Sequence, residues 1–145
     1  MIEVAQLKEA GERTLAEVNG LLKQLVHDPS TYVPVSQQEL GEIVENNQTF
    51  VAVAREKGRI VGVGIIFVIH KFRGKYAYIE DMIVDEQYRG QGLGTKILQE
   101  LVTIARSAQV KTIELSTRPS RVPANNLYKK MGFVFKETNV YRLSL

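Results

Sequence analysis

The chain has 145 residues, 44% of them hydrophobic and 24% charged, with a formal net charge of +3. That is the size of one domain with its own core, and the charged share is ordinary for a folded protein. Cysteine is absent and only two histidines occur, His27 and His70, which excludes disulfides and thiolate nucleophiles and predicts no metal.

The mild basicity reads either as a solvated surface or as attraction for an anionic ligand. A nucleic-acid binder would carry a basic run or stripe, and none is present. No apolar leader follows Glu3, and the run from Ile60 to Ile69 is shorter than the about 20 residues that span a bilayer. The expectations are no membrane partner and a cytoplasmic location.

Ile2 to Leu7 reads as a first strand. Leu15, Val18, Leu21, Leu22, Leu25 and Val26 recur at helical spacing and predict a helix over residues 9–26, ended by Asp28-Pro29. Ser36 and Glu39 form a capping-box pattern ahead of Leu40, Ile43 and Val44. Thr49 to Glu56 and Arg59 to Lys71 read as strands joined at Lys57-Gly58, and a turn at Arg73-Gly74 leads to a third, Lys75 to Asp85. A glycine-rich turn then opens a helix, Leu93 to Ala108, with Leu93, Ile97, Leu98, Leu101, Val102 and Ala105 on one side. Thr112 to Ser116 is a strand parallel to the one before the turn. A short helix over 124–131 ends at Gly132, and Phe133 to Leu145 predicts a final hairpin turning near Thr138-Asn139. The order implies an α+β fold in one domain, residues 1–145: a mixed, mainly antiparallel sheet flanked by helices.

The segment Arg89-Gly90-Gln91-Gly92-Leu93-Gly94-Thr95 carries the most information. It follows a strand and opens a helix, whose first turn presents unpaired N–H groups and a partial positive charge. Glycines admit a ligand against the backbone, so the arrangement suits a phosphate or pyrophosphate. The alternative is a tight turn that holds nothing. The nucleotide-triphosphate loop needs Gly-Lys-Ser/Thr, and here Thr95-Lys96 stand in the reverse order; the dinucleotide fingerprint needs another glycine spacing.

Arg89-x-x-Gly92-x-Gly94 resembles the signature of the GNAT N-acetyltransferase superfamily, and Asn125-x-x-Tyr128-x-x-x-Gly132-Phe133 is similar to that family's later segment. The likeness covers about residues 49–136 well and the N-terminal helices loosely. It implies a sheet splayed between the fourth and fifth strands to admit acetyl-CoA. Arg89, Gly90, Gln91, Gly92, Leu93, Gly94 and Thr95 would then hold the pyrophosphate. Met82, Ile83 and Val84 would pair with the pantetheine arm through their main chain, and Asn125 and Tyr128 would also contact the coenzyme. The implied activity is acetyl transfer to a primary amine of a small molecule or protein, without metal; the alternative is an acyl-CoA sensor without turnover. The resemblance also makes a homodimer possible, with the last hairpin as a place for it. The loop before Asn125 departs from that of the glucosamine-phosphate acetyltransferases, so the acceptor stays open.

Acetyl transfer needs a neutral amine. An amine of pKa near 10.4 is only about 0.1% neutral near pH 7.4, so a base is wanted. Glu80 and Asp81 interrupt the apolar run Tyr76 to Val84, where neighbouring residues alternate faces and partial burial raises a carboxylate pKa. Family resemblance favours Glu80 as the base; Asp81 is the candidate contact for the substrate amine. Tyr128 is either a core tyrosine or, as the resemblance implies, the acid that protonates the leaving thiolate. Arg118 and Arg121, flanking Pro119, are candidates to hold a phosphate or carboxylate of the acceptor, or form a solvated loop.

Overall fold

Val51 and Val53 alternate with Ala52 and Ala54, and all four are buried, so this strand is covered on both faces. It is one of five in the computed structural model, which describes residues 1–145. The strands are β1 (Ile2–Gln6), β2 (Thr49–Glu56), β3 (Arg59–Lys71), β4 (Gly74–Val84) and β5 (Ile113–Leu115), lying side by side in chain order. All neighbours are antiparallel except β4 and β5, which are parallel.

Helices α1 (Glu12–Leu25) and α2 (Gln37–Glu45) cover one face, and α3 (Leu93–Ser107) and α4 (Val122–Lys130) the other. On the first face Val18 and Leu21 of α1 meet Val51, Val53, Val63, Ile65 and Ile83. On the second, Leu93, Ile97, Leu98, Leu101 and Ala105 of α3 meet Ala52, Ala54, Ala77 and Ile79. The capping box forms as its residues predict. Ser36 Oγ accepts from the Glu39 amide at 3.1 Å, and the Glu39 carboxylate accepts from the Ser36 amide at 2.8 Å.

Two features of β4 set the shape of the sheet's open end. Its pairing with β5 spans only Ala77 to Ile79, so the outer edge from Glu80 onward has no strand beside it. Its pairing with β3 also skips a position: Glu80 opposes Ile65 and Ile83 opposes Val63, with a register shift between. This bulge places Asp81 at φ 49, in the left-handed region. Gly64 gives the bulge room. A Cβ there would sit 3.0 Å from Leu101 Cδ1, 3.1 Å from Ile97 Cγ2 and 3.2 Å from Met82 Cγ.

The main correction concerns the C-terminus. The hairpin expected over Phe133–Leu145 does not form, and no strand follows α4. Smaller differences lie at boundaries. The helix expected from residue 9 starts at Glu12, and the turn expected at Arg73-Gly74 falls at Phe72-Arg73, with Gly74 already in β4.

No helix is long and apolar enough to cross a membrane. Replacing Gly64 with alanine forces three buried contacts apart, and Gly64→Ala is expected to lower unfolding stability by about 1–3 kcal/mol in urea titrations.

Candidate active site

A cleft of about 480 Å³ opens where β4 and β5 part, bounded by the end of β4, the glycine turn and α4. The turn is built to leave space. Gly90 and Gly92 have φ of 77 and 79, and a Cβ on either would meet nothing within 4 Å. Gly92 caps α3 without a side-chain hydrogen bond, so the first-turn amides of Leu93, Gly94 and Thr95 have no partner within the helix. Three tethers hold the approach to the turn. Arg89 Nε donates to Val84 O at 3.0 Å, Asp85 accepts from the Gln87 amide at 3.1 Å, and the Tyr88 hydroxyl donates to Glu56 at 2.6 Å. A helix N-terminus with free amides, fixed at the end of an apolar-walled cleft, is a place for a phosphate-bearing ligand.

Tyr128 faces that turn from α4. Its position is set by how the helix stops. Gly132, at φ 96, donates to Lys129 O at 3.1 Å, and the Phe133 amide donates back to Tyr128 O at 3.0 Å. This is a Schellman ending, which needs glycine at its left-handed position and favours an apolar residue just after it. Phe133 supplies that contact, its ring 5.9 Å from the Tyr128 ring at 60°. Tyr128 is 7% exposed and lines the cleft, and its hydroxyl has no protein hydrogen-bond partner. Burial pushes the phenol pKa up; the nearby Arg121 guanidinium pulls it down and the Glu80 carboxylate pushes it up.

Glu80 and Asp81 stand at the bulge. Neither takes part in a salt bridge, and both reach solvent. The surrounding protein still removes enough water to raise the pKa of each. The Asp81 charge raises that of Glu80 further, and a backbone hydrogen bond from Asp81 partly opposes this. The strict face alternation expected for this pair is broken by the left-handed turn at Asp81.

The cleft brings together Met82, Ile83, Val84, Arg89, Gly90, Gly92, Leu93, Gly94, Thr95, Arg121 and Tyr128 of the residues expected from sequence. Glu80, Asp81, Gln91, Arg118 and Asn125 lie off its wall. The Asn125 amide is spent on its own loop, donating to Arg118 O at 3.0 Å and Arg121 O at 2.8 Å. Sequence reasoning missed Gln24 and Leu25 at the end of α1 and Pro123, Ala124 and Leu127 on α4, all on the cleft wall. It also missed Tyr32, whose hydroxyl bonds Asn19 and whose pKa the Asp81 charge raises, behind the effect of burial. Helical spacing marked Leu25 as core, and nothing in the sequence brings Tyr32 near the Asp81 charge.

The acetyltransferase (GNAT) family model matches residues 19–133. A glucosamine 6-phosphate N-acetyltransferase of Trypanosoma brucei brucei is 33% identical over 136 residues, covering 88% of each chain. The thialysine N-ε-acetyltransferase of Mus musculus is 36% identical over 74 residues, 50% of this chain and 44% of that protein. The chain thus spans about half the length of some relatives it matches, including one from rice at 50%. The crystal structure of a Trypanosoma brucei acetyltransferase superposes with a TM-score of 0.79 at 30% identity, covering 100% of both chains. The chain belongs to the acetyltransferase (GNAT) family.

Because the Tyr128 hydroxyl bonds nothing in the protein, Tyr128→Phe is expected to change unfolding stability by less than about 0.5 kcal/mol. A larger loss in thermal or urea unfolding would place that hydroxyl in a structural role instead.

Proposed function

We propose that this protein transfers the acetyl group of acetyl-CoA to a primary amine by direct attack of the bound amine on the thioester. The observation that carries this reading is the free N-terminus of α3 and the hydroxyl of Tyr128, which bonds no protein group and opens to the cleft, on two sides of one cleft beside a strand edge without a partner. The amides of the glycine turn would bind the pyrophosphate, with Arg89 holding the turn in shape. Gln91 would contribute by its backbone alone. The unpaired edge of β4 at Met82, Ile83 and Val84 would take the pantetheine arm as an added strand. Its amides would also support the oxygen of a tetrahedral intermediate.

Each proton then has a place to go. Glu80 accepts the amine proton, directly or through water, as the N–C bond forms. When the C–S bond breaks, Tyr128 gives its proton to the departing thiolate, and the two groups re-equilibrate through solvent. The raised pKa of Glu80 makes it a better base than an ordinary carboxylate. Tyr128 is a weak acid beside a thiolate whose usual pKa is near 8.5, so it donates only as the sulfur gains charge.

The acceptor is a cationic amine on this reading. Asp81 lacks an ion partner and stands beside the base, where it would hold the ammonium end of the acceptor before transfer. Arg121 would meet an acidic group on the same molecule, with Arg118 further out on the loop. Among the relatives, the names thialysine and glucosamine 6-phosphate denote amines of both kinds. A diamine and glucosamine 6-phosphate are therefore the two acceptors to compare first.

Calorimetry with acetyl-CoA, using ATP and NAD as controls, tests the reading. Selective binding is expected, and Gly92→Val should abolish it, because a β-branched residue is strained at φ 79. Equal binding of ATP, or none of acetyl-CoA by folded protein, would refute the assignment of the turn.

Turnover is followed cleanly, since a chain without cysteine leaves released CoA as the one thiol present. Glu80→Gln and Tyr128→Phe should each lower kcat by roughly 10²–10⁴-fold. The base works only when ionised, so kcat/KM should rise with pH through a pKa above the ordinary carboxylate range. That acid limb should disappear in Glu80→Gln; a limb unchanged in that variant would assign the base elsewhere.

A further inference from the structure

We infer that the turn between β3 and β4 docks on an anionic lipid surface, with Phe72 entering the headgroup layer and the cations beside it meeting lipid phosphates. Phe72 is fully exposed at the tip of that turn, and outside residues 133–145 it is the only exposed large aromatic side chain. Turn tips normally carry Gly, Asn, Asp, Pro or Ser, and a ring that packs on no core adds nothing to the fold. Its neighbours in the chain are Lys71, Arg73 and Lys75, and the fold adds Arg106 and Lys111 from the end of α3 and the approach to β5. The Lys111 amide donates to Lys75 O at 3.0 Å, Lys75 Nζ donates to Ala108 O at 2.6 Å, and Lys111 Nζ donates to Arg73 O at 3.5 Å. Gly74, at φ 112, makes room for the Lys111 stem, whose Cε would stand 3.1 Å from a Cβ there. The Lys71 ammonium lies 3.9 Å from the centre of the Tyr76 ring.

The cluster does not show as a run in the sequence because two separate segments supply it. No Asp or Glu occurs between Glu56 and Glu80 or between Glu100 and Glu114. Five cations gather here in a chain of net charge +3, so the rest of the molecule is net negative. That asymmetry orients the protein toward a negative surface, and clustered Lys and Arg are drawn to an anionic leaflet. A nucleic-acid strand is held in a groove lined with several stacking rings. Here a single ring stands on a protruding turn, and the principal cavities of the molecule lie elsewhere. A peripheral contact needs neither the leader nor the spanning run whose absence set the expectation of no membrane partner. The turn feeds the start of β4, and the cleft lies at the far end of that strand, about 30 Å away. Docking at the turn therefore leaves the cleft clear.

Cosedimentation tests the inference with vesicles of phosphatidylcholine and phosphatidylserine, against vesicles of phosphatidylcholine alone. The full chain is expected to bind the mixed vesicles at low salt, to leave them at high salt, and to ignore the neutral ones. The double variant Lys71→Glu/Arg73→Glu should bind the mixed vesicles more weakly by roughly tenfold or more. The chain contains no tryptophan, so Phe72→Trp places a single indole at the tip. Its emission should shift to the blue on mixed vesicles, a reading that stands even if the double variant fails to fold. The inference is overturned by no binding to mixed vesicles, by equal binding to neutral ones, by full binding of the folded double variant, or by unshifted emission from vesicle-bound Phe72→Trp. Tighter binding to polyuridylate than to mixed vesicles also overturns it and gives the surface to nucleic acid. None of these readouts depends on turnover, so the docking surface and the acetyl-transfer reading stand or fall separately.

Discussion

Strand β4 is hydrogen-bonded on both edges for only part of its length, and the site depends on that interruption. β5 follows it through Ala77, Tyr78 and Ile79 and then ends at Leu115. Past Ile79 the peptide groups on the outer edge of β4 have no strand to satisfy them, and a buried peptide group needs a partner. The fold leaves such an edge open only where water or a ligand completes it. The same strand also departs from regular pairing on its other side, at the bulge opposite Gly64. Bulges re-aim side chains. Here the bulge puts Asp81 in the left-handed region and breaks the alternation of the two adjacent carboxylates at the point where β5 ends.

The walls of that opening are held by backbone devices. At one end, a helix starts on a left-handed glycine with no side-chain cap, leaving its amides to the cleft. At the other, a helix ends on a left-handed glycine, and the chain doubles back so that Phe133 braces the tyrosine ring. A glycine stands at each place for a conformational reason: Gly92 and Gly132 take φ of 79 and 96, which other residues adopt only with strain. Gly94 has a separate role. A Cβ there would come within 3.3 Å of Leu127, so its absence lets α3 and α4 approach. The spacing of glycines along the sequence thus records the geometry of two helix ends that face each other.

Much of this was legible because it is local. The capping box at Ser36, the tight turn at Lys57-Gly58, the stripe of α3 and the glycine turn each declare themselves within a few residues, and each forms. What could not be read depends on separation in sequence. The influence of the Asp81 charge on Tyr32, and the meeting of Gln24 with the loop at Glu86, require the sheet to be built first. The bulge at Asp81 was illegible for another reason. No residue there signals a left-handed conformation, which arises from how β3 and β4 register around Gly64. The final hairpin misled in the opposite way: Tyr141, Leu143 and Leu145 alternate as a strand would, but no strand forms after α4, because an alternating pattern specifies a face and not a pairing.

The loop before α4 couples backbone geometry to the electrostatics of the cleft. Asn125 donates to the carbonyls of Arg118 and Arg121, tying a segment of two arginines to the first turn of the helix that bears Tyr128. The consequence is asymmetric. Arg118 stays off the cleft, while Arg121 is carried onto its wall, close enough for its charge to pull the Tyr128 pKa down against burial and against Glu80. A buried phenol between a cation and an anion is poised rather than simply desolvated. Its proton is held harder by low dielectric and by the carboxylate, and released toward any partner that gains negative charge nearby. Asn125 thus ties the loop that carries Arg121 to the helix that carries Tyr128.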